Sequence, residues 1–266
     1  MLDRLRAGGI RYAFVSNADN LGGVLDLPIL GWFASGGGPF AMEVAERTVA
    51  DKKGGHLARR DGRLILRESA QCAEVDREAF QDVDLHRYFN TNNLWVDLEA
   101  LAARLEQESD GLPLPVIRNE KTIEPDDPDG PRCLQLETAM GAAIGCFEGA
   151  RAICVSRERF APVKTTNDLL TLWSDAYEMT ADARVRAIDP EALRRLQVDL
   201  DGRFFGTVAG LSQRFPQGAP SLAKCERFRV EGDHRFGADV EIIGDVRLVN
   251  DSEGPLVIEP GTVIEG

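Results

Sequence analysis

Four polar clusters in this sequence combine residue types that handle cations, phosphates or polyols. In FVSNADNLGG (14–23), Asn17, Ala18 and Asp19 follow directly on an apolar stretch. A carboxylate at the C-terminal end of a strand lies where open α/β sheets bind ligands, and a hard divalent cation prefers such oxygen donors. The same residues suit a humbler task, because Asp19 or Asn20 could cap the helix that follows. The second cluster is Lys52 and Lys53 with Gly54 and Gly55. The third, FNTNNLW (89–95), sets Asn90, Thr91, Asn92 and Asn93 in a row. Amides offer both donors and acceptors, which suits a neutral polyol, although such a run also makes Asx-turns. The fourth is RFAPVKTTNDLL (159–170), where Lys164 stands between an extended Pro162-Val163 approach and a helix beginning at Thr165 or Thr166. An ammonium beside free helical N–H groups suits a phosphate; a lone lysine is also an ordinary solvated side chain.

The elements that must carry these clusters are legible in outline. Val24 to Ala34 reads as a helix with an apolar face, and FAMEVAERT (40–48) as a strand. HLARRDGRLILRE (56–68) reads as a hairpin, because Asp61-Gly62 is the dipeptide a type I′ turn demands. RYFNTNNLWVDLEALAARLEQE (87–108) runs from a strand into a helix. IRNEKTIEPDDPDGPRC (117–133) is expected to be a solvated acidic loop, LQLETAMGAAIGCF (134–147) a helix, and ARAICVSRERF (150–160) a strand. This alternation predicts an α/β fold with a mostly parallel, helix-covered sheet over residues 1–180. From Ser221 to Gly266 the helical period disappears, and short Val/Ile-rich pieces with Gly and Asp recur at close spacing. That pattern predicts a small parallel β-helix of two or three turns, which would lean on the main domain or on a neighbouring copy.

Composition bounds the function. The 266 residues carry a net charge of −13, which argues against a nucleic-acid or anionic-membrane surface. No apolar run approaches the roughly 20 residues of a membrane span, and the N-terminus lacks the pattern of a signal peptide. Five scattered cysteines read as the reduced thiols of a cytoplasmic protein, and three distant histidines carry no zinc pattern.

In this order and spacing, FVSNADNLG, VADKKGG, ESAQ, FNTNNLW, LQLETAMGAAI and RFAPVKTTNDLL resemble the C-terminal half of the UTP–glucose-1-phosphate uridylyltransferase family, the eukaryotic-type UDP-glucose pyrophosphorylases. The resemblance spans essentially the whole chain. It implies the C-terminal portion of a Rossmann-like nucleotidyltransferase domain (1–215) followed by a left-handed β-helix (216–266), through which homo-oligomers could assemble. It implies condensation of UTP with glucose 1-phosphate to UDP-glucose and pyrophosphate, with Mg²⁺. The Asn-x-Asp positions, Asn17, Ala18 and Asp19, would contact nucleotide, sugar phosphate and metal, with Asp19 and Asn17 as the metal positions. Asn90, Thr91 and Asn92 would lie against the hexose, Gly55 and Glu68 would line the same pocket, and Lys164 would be catalytic. The family's Gly-rich triphosphate loop and uracil-reading residues have no counterpart here, so the chain alone is expected not to turn over. Ser69, Ala73 and Arg47 depart from the family's usual Ile, Pro and Lys. A related UDP-sugar or UDP-N-acetylhexosamine pyrophosphorylase, or a non-catalytic sugar-nucleotide-binding fragment, are the alternatives.

Overall fold

A short helix, α1 (Leu2–Ala7), leads into β1 (Tyr12–Val15), the strand expected ahead of Asn17. The computed structural model describes residues 1–48, 51, 54–124 and 129–266. They divide into two units, 1–17 with 23–159 and 18–22 with 160–266.

In the first unit, α2 (Leu27–Ala34) starts at Asp26, whose side chain accepts the Ile29 N–H. The cap is therefore Asp26, and neither Asp19 nor Asn20 serves that helix. Next come β2 (Phe40–Glu46), β3 (His56–Arg60), β4 (Arg63–Arg67), α3 (Arg77–Gln81) and β5 (Tyr88–Asp97). Asp61 and Gly62 join β3 to β4 with φ of 51° and 79°, the two positive angles of a type I′ turn. Asp97 caps α4 (Leu98–Leu105). The unit closes with β6 (Val116–Thr122), β7 (Arg132–Thr138) and β8 (Arg151–Cys154).

The sheet order is β4-β3-β5-β2-β8, with β1 also on β5. Only β2 and β8 run parallel; every other pair is antiparallel. The sheet is mixed, and the mostly parallel arrangement expected from the alternation of elements is not what forms. Alternate residues of β2 fill two clusters, Phe40, Met42 and Val44 with Leu94 and Phe147, and Ala41 with Phe33 and Trp95. Two other expectations are corrected. Residues 117–133 are not simply a solvated loop, because β6 and β7 pair as an antiparallel ribbon. Residues 134–147 form no α-helix; β7 is followed by a 3-10 segment, Met140–Cys146. A Cβ on Gly141 would lie 2.8 Å from both Asn90 Nδ2 and Leu66 Cδ2, so this segment packs through bare backbone.

The second unit holds α5 (Thr166–Trp173), the hairpin β9 (Tyr177–Met179) and β10 (Val185–Ala187), and α6 (Pro190–Arg195). β11 (Gln197–Leu200), α7 (Gly202–Phe205) and α8 (Val208–Arg214) follow. The tail comprises β12 (Cys225–Glu231), β13 (His234–Phe236), β14 (Glu241–Val249), β15 (Leu256–Ile258) and β16 (Val263–Glu265). β11-β12-β14-β16 and β13-β15 are parallel ladders; partners lie 30 residues apart between β11 and β12 (Gln197 to Arg227) and from 18 (Arg227 to Asp245) to 22 (Glu241 to Val263) in the others. The parallel pairing of these ladders agrees with the recurring pattern. Gly244, at φ 75°, lies where a Cβ would be 2.3 Å from the Gly266 carbonyl, a close approach that only glycine allows. The division at 159/160 precedes the expected boundary at 215/216. Leu170, Leu200, Phe205, Leu211 and Phe215 share one apolar cluster with Phe228, Phe236 and Ile242 of the rungs. Among the described residues no helix is long and apolar enough to cross a membrane.

Candidate functional site

The asparagine run does not end a strand. It interrupts one. Met42 pairs with Leu94 and Val44 with Asn90, so Glu43 alone faces Thr91, Asn92 and Asn93. Such a bulge turns a side chain out of the ladder, and Asn92 at φ 60° takes the left-handed conformation asparagine tolerates. The bulge is pinned on both sides: Thr91 Oγ1 donates to the Glu43 carbonyl (2.8 Å), and Asn93 Nδ2 donates to Glu43 Oε2 (3.0 Å). At its crest Asn92 donates its N–H to Asn90 Oδ1 (2.8 Å) and its Nδ2 to Asn17 Oδ1 (2.6 Å). The first and third clusters of the sequence thus meet through Asn17 and Asn92. Thr91 is buried, with its hydroxyl turned to Glu43.

Gly55, Glu68 and Asn90 also converge. The Asn90 N–H donates to the Gly55 carbonyl (3.2 Å). A Cβ on residue 55 would stand 2.5 Å from Glu68 Oε2, so the carboxyl occupies space that only a glycine leaves. Glu68 is half-buried, no described residue donates to its carboxyl, and burial holds that carboxyl above the ordinary range. Lys52 and Lys53 lie outside the described residues.

Sequence reasoning missed the group that holds the bulge. The Glu43 carboxylate is fully buried and accepts from Asn93, from Trp95 Nε1 (2.9 Å) and twice from Arg159, Nε at 2.7 Å and Nη2 at 2.8 Å. Arg159 also donates to the Val24 carbonyl (2.9 Å), tying β2 to the stretch after Gly23. The signal was there: one charge inside the otherwise apolar FAMEVA.

A second buried polar group lies at the other end of β2. Arg47 donates to the carbonyls of Phe80 and His86 and faces His56 Nδ1 at 3.4 Å, while Arg67 Nη1 stands 3.3 Å from both His56 Nε2 and His86 Nε2. Burial first, then His86, Arg47 and Arg67, push the His56 imidazole down to about 3. An unfolded histidine takes its proton at a pH of about 6.5, so between these values the unfolded chain binds more protons and stability falls as pH falls. The expected slope is about 1.4 kcal/mol per pH unit from this one group. Thermal melts from pH 7 to 4 should show it, and His56→Gln should flatten it.

In the second unit, residues 18–22 lie along 160–164. Val163 N–H donates to the Asp19 carbonyl (2.9 Å) and Leu21 N–H to that of Ala161 (3.1 Å). Asn20 Oδ1 accepts from Ala161 N–H (2.9 Å) and Gly22 N–H (3.2 Å), bracing the pair. This pairing sets Asp19 beside the residue preceding Lys164. No described residue donates to the Asp19 carboxylate, Lys164 has no acidic partner among the described residues, and Ala18 is exposed. The helix begins at Thr166, within the expected pair. Thr165 and Asp168 form a capping box, and the N–H groups of Lys164 and Thr165 both donate to Asp168 Oδ2, at 2.9 and 2.8 Å. Those two donors are engaged, but no described residue accepts from the Thr166 and Asn167 N–H groups of the first turn, which stand with the Lys164 ammonium as anion-seeking groups. No three His, Cys, Asp or Glu residues gather into a metal-binding group among the described residues.

The family model described as UTP–glucose-1-phosphate uridylyltransferase matches residues 1–242. The barley (Hordeum vulgare) enzyme of that name is 38% identical over 265 residues, covering 99% of this chain and 54% of its own. The Saccharomyces cerevisiae enzyme is 37% identical, with 99% and 52% covered. Among solved structures, UDP-glucose pyrophosphorylase from Leishmania major is 44% identical at a TM-score of 0.82, covering 99% of this chain and 58% of that one. A Trypanosoma brucei structure matches at 45% and 0.83, with 99% and 57% covered. One L. major structure was determined in complex with UDP-glucose. The chain spans about half the length of the curated relatives it matches.

Proposed function

We propose that this chain, which belongs to the UTP–glucose-1-phosphate uridylyltransferase family, binds the hexose phosphate and part of the charge-neutralising apparatus in the conversion of UTP and glucose 1-phosphate to UDP-glucose and pyrophosphate. The observation that carries the reading is the convergence of Gly55, Glu68 and Asn90, with Asn92 braced against Asn17. Amides with one free donor or acceptor, beside an unpaired carboxyl, read a pattern of hydroxyls without adding a net positive charge. The reaction joins a sugar phosphate oxygen to the α-phosphorus of the nucleotide and releases pyrophosphate. It needs no covalent intermediate on the protein, so the protein's part is positioning and neutralisation. The ammonium of Lys164 would stabilise charge building on the transferring phosphate.

Mg²⁺ fits the residues present, because it keeps waters and takes one or two carboxylates plus substrate phosphates. Asp19, whose carboxylate accepts from no described residue, would hold it, with Asn17 Oδ1 as a further oxygen. When bound, the ion would offset repulsion between the two anionic substrates. Replacing Asp19 by Asn should lower turnover severely and weaken its magnesium dependence while leaving the melt unchanged. Family membership also supports a left-handed sense for the stacked rungs and self-association through them. Five free cysteines suit a cytoplasmic setting.

The test of the hexose pocket is Gly55→Ala. The added methyl meets the end of a flexible side chain, so Glu68 swings aside at small cost to stability. The KM for glucose 1-phosphate should rise about tenfold or more, the equivalent of one lost hydrogen bond to a charged group, with the KM for UTP unchanged. The assay uses a preparation that turns over, alone or with a co-expressed segment carrying a Gly-rich loop. An unchanged KM for the sugar phosphate would refute the pocket.

A further inference from the structure

The β3–β4 hairpin presents a face that the proposed transferase chemistry does not use. In its register His56 opposes Arg67, Ala58 opposes Ile65 and Arg60 opposes Arg63. Opposed residues and alternate residues along a strand share a face, so Arg60, Arg63 and Arg67 stand together on one side, with Ile65 among them. Like charges directly opposite are destabilising, yet no described carboxylate pairs with Arg60, Arg63 or Arg67. Arg67 meets only the neutral-leaning His56, His86 and the ring of Phe80.

These three arginines line a cleft of about 640 Å³ within the first unit, a size that holds a small organic ligand. Four of its lining residues are arginines and two, Glu68 and Asp76, are acids. Arg104 is already paired with Glu108 at 2.6 Å, and Asp61 of the turn is not part of the lining. In a chain of net charge −13 this is a local excess of unneutralised guanidinium. Ile65, Pro113 and Pro115 supply apolar wall. Of the candidate site only Glu68 borders it; Asn17, Asn90, Asn92, Asp19 and Lys164 do not.

We infer that this cleft binds a small organic phosphate. Guanidinium forks match phosphate oxygens two at a time, and one such anion between Arg60 and Arg63 would relieve their opposition. The proline and isoleucine wall would take the organic part. Because Glu68 borders both places, such a ligand would touch the hexose pocket through that carboxyl.

Phenyl phosphate is the probe, with inorganic phosphate as the comparison that lacks the organic part. By calorimetry on the full chain, phenyl phosphate should bind saturably, more tightly than inorganic phosphate, and less tightly as salt rises. Arg60→Ala with Arg63→Ala should weaken it at least about tenfold, since each charge-assisted bond carries more than that factor. Lys164→Ala should leave it unchanged. A second measurement needs no variant: Cys72 lines the cleft, whereas Cys133 is exposed elsewhere. Phenyl phosphate should slow alkylation of Cys72 and leave Cys133 alone. The proposal fails if the double variant binds as well as the parent, if Cys72 is not protected, or if loss of Lys164 abolishes binding. The last result would assign the probe to the transferase phosphate position instead.

Discussion

Replacing Glu43 with alanine is expected to destabilise the first unit by about 3–5 kcal/mol, the range for breaking a buried ion pair by removing one partner. Glu43 is fully buried, and Arg159 is nearly so, with its side chain 11% exposed. Removing the carboxylate takes away the acceptor of the Trp95 indole N–H and of two Arg159 donors, and leaves that guanidinium to Asp26 at 3.8 Å and the Val24 carbonyl. For a domain of this size the melting temperature should fall by about 6–20 °C. Glu43→Gln keeps an acceptor for Trp95 but not the charge opposite Arg159, so its fall should lie between the parent and Glu43→Ala. A further consequence separates this account from general loosening. The bulge that carries Asn92 is pinned through Glu43, so the Asn92–Asn17 contact should weaken even where the fold survives. Faster amide exchange at Asn92 than at the β1–β5 ladder, in Glu43→Gln at a temperature well below its melt, checks it. An alanine variant melting within a degree or two of the parent would overturn the assignment.

The sequence carried its strongest information where local chemistry admits one solution. Asp61-Gly62 allowed a type I′ turn and little else. The apolar run from Phe40 to Ala45 had to be an interior strand, and Thr165 with Asp168 had to begin a helix. Strand direction was not local. β1 runs antiparallel to β5 and β2 parallel to β8 because of pairing across long stretches of chain, which no periodicity encodes. The β6–β7 ribbon has no buried face to mark it: its side chains are largely exposed, Leu134 and Leu136 among them, beside an acidic, proline-broken segment that reads as a loop. The small apolar residues within 134–147 permit a helix; what decides otherwise is the Gly141 backbone against Asn90 and Leu66.

The candidate site divides in the same way. Residue types placed Asn17, Asp19, Gly55, Asn90, Asn92 and Lys164 in polar clusters at apparent strand ends, and resemblance added Glu68 and a role for Gly55. Neither could show that a two-residue bulge lifts Asn92 toward Asn17, since a bulge is a property of two strands in register. Nor could either show that Thr91 turns inward. Glu43 and Arg159 are 116 residues apart, and only the folded sheet makes them one unit.

Lys164→Ala should carry the largest loss of rate, about 10²–10³ in kcat, by analogy with removal of one preorganised donor to developing charge. Lys164 is exposed and has no acidic partner among the described residues, so its removal orphans nothing and the melt should not move. The Lys164 and Thr165 N–H groups serve Asp168, so beside the ammonium only the uncharged Thr166 and Asn167 N–H groups of the first turn are left to meet an anion. Neutral N–H groups do not replace a full charge, so the loss of rate is expected with those donors still in place. The kinetic pattern decides the role. An interaction made only in the transition state lowers kcat and kcat/KM together, whereas one that merely holds the substrate raises KM alone. Lys164→Arg keeps the charge but replaces a compact ammonium with a planar fork, and it should recover only part of the rate. The measurement is UDP-glucose formation from UTP and glucose 1-phosphate with Mg²⁺, in the same preparation used for Gly55→Ala. A loss below about tenfold, or one confined to KM, would reduce Lys164 to a ground-state contact and leave the transferring phosphate to a cation elsewhere.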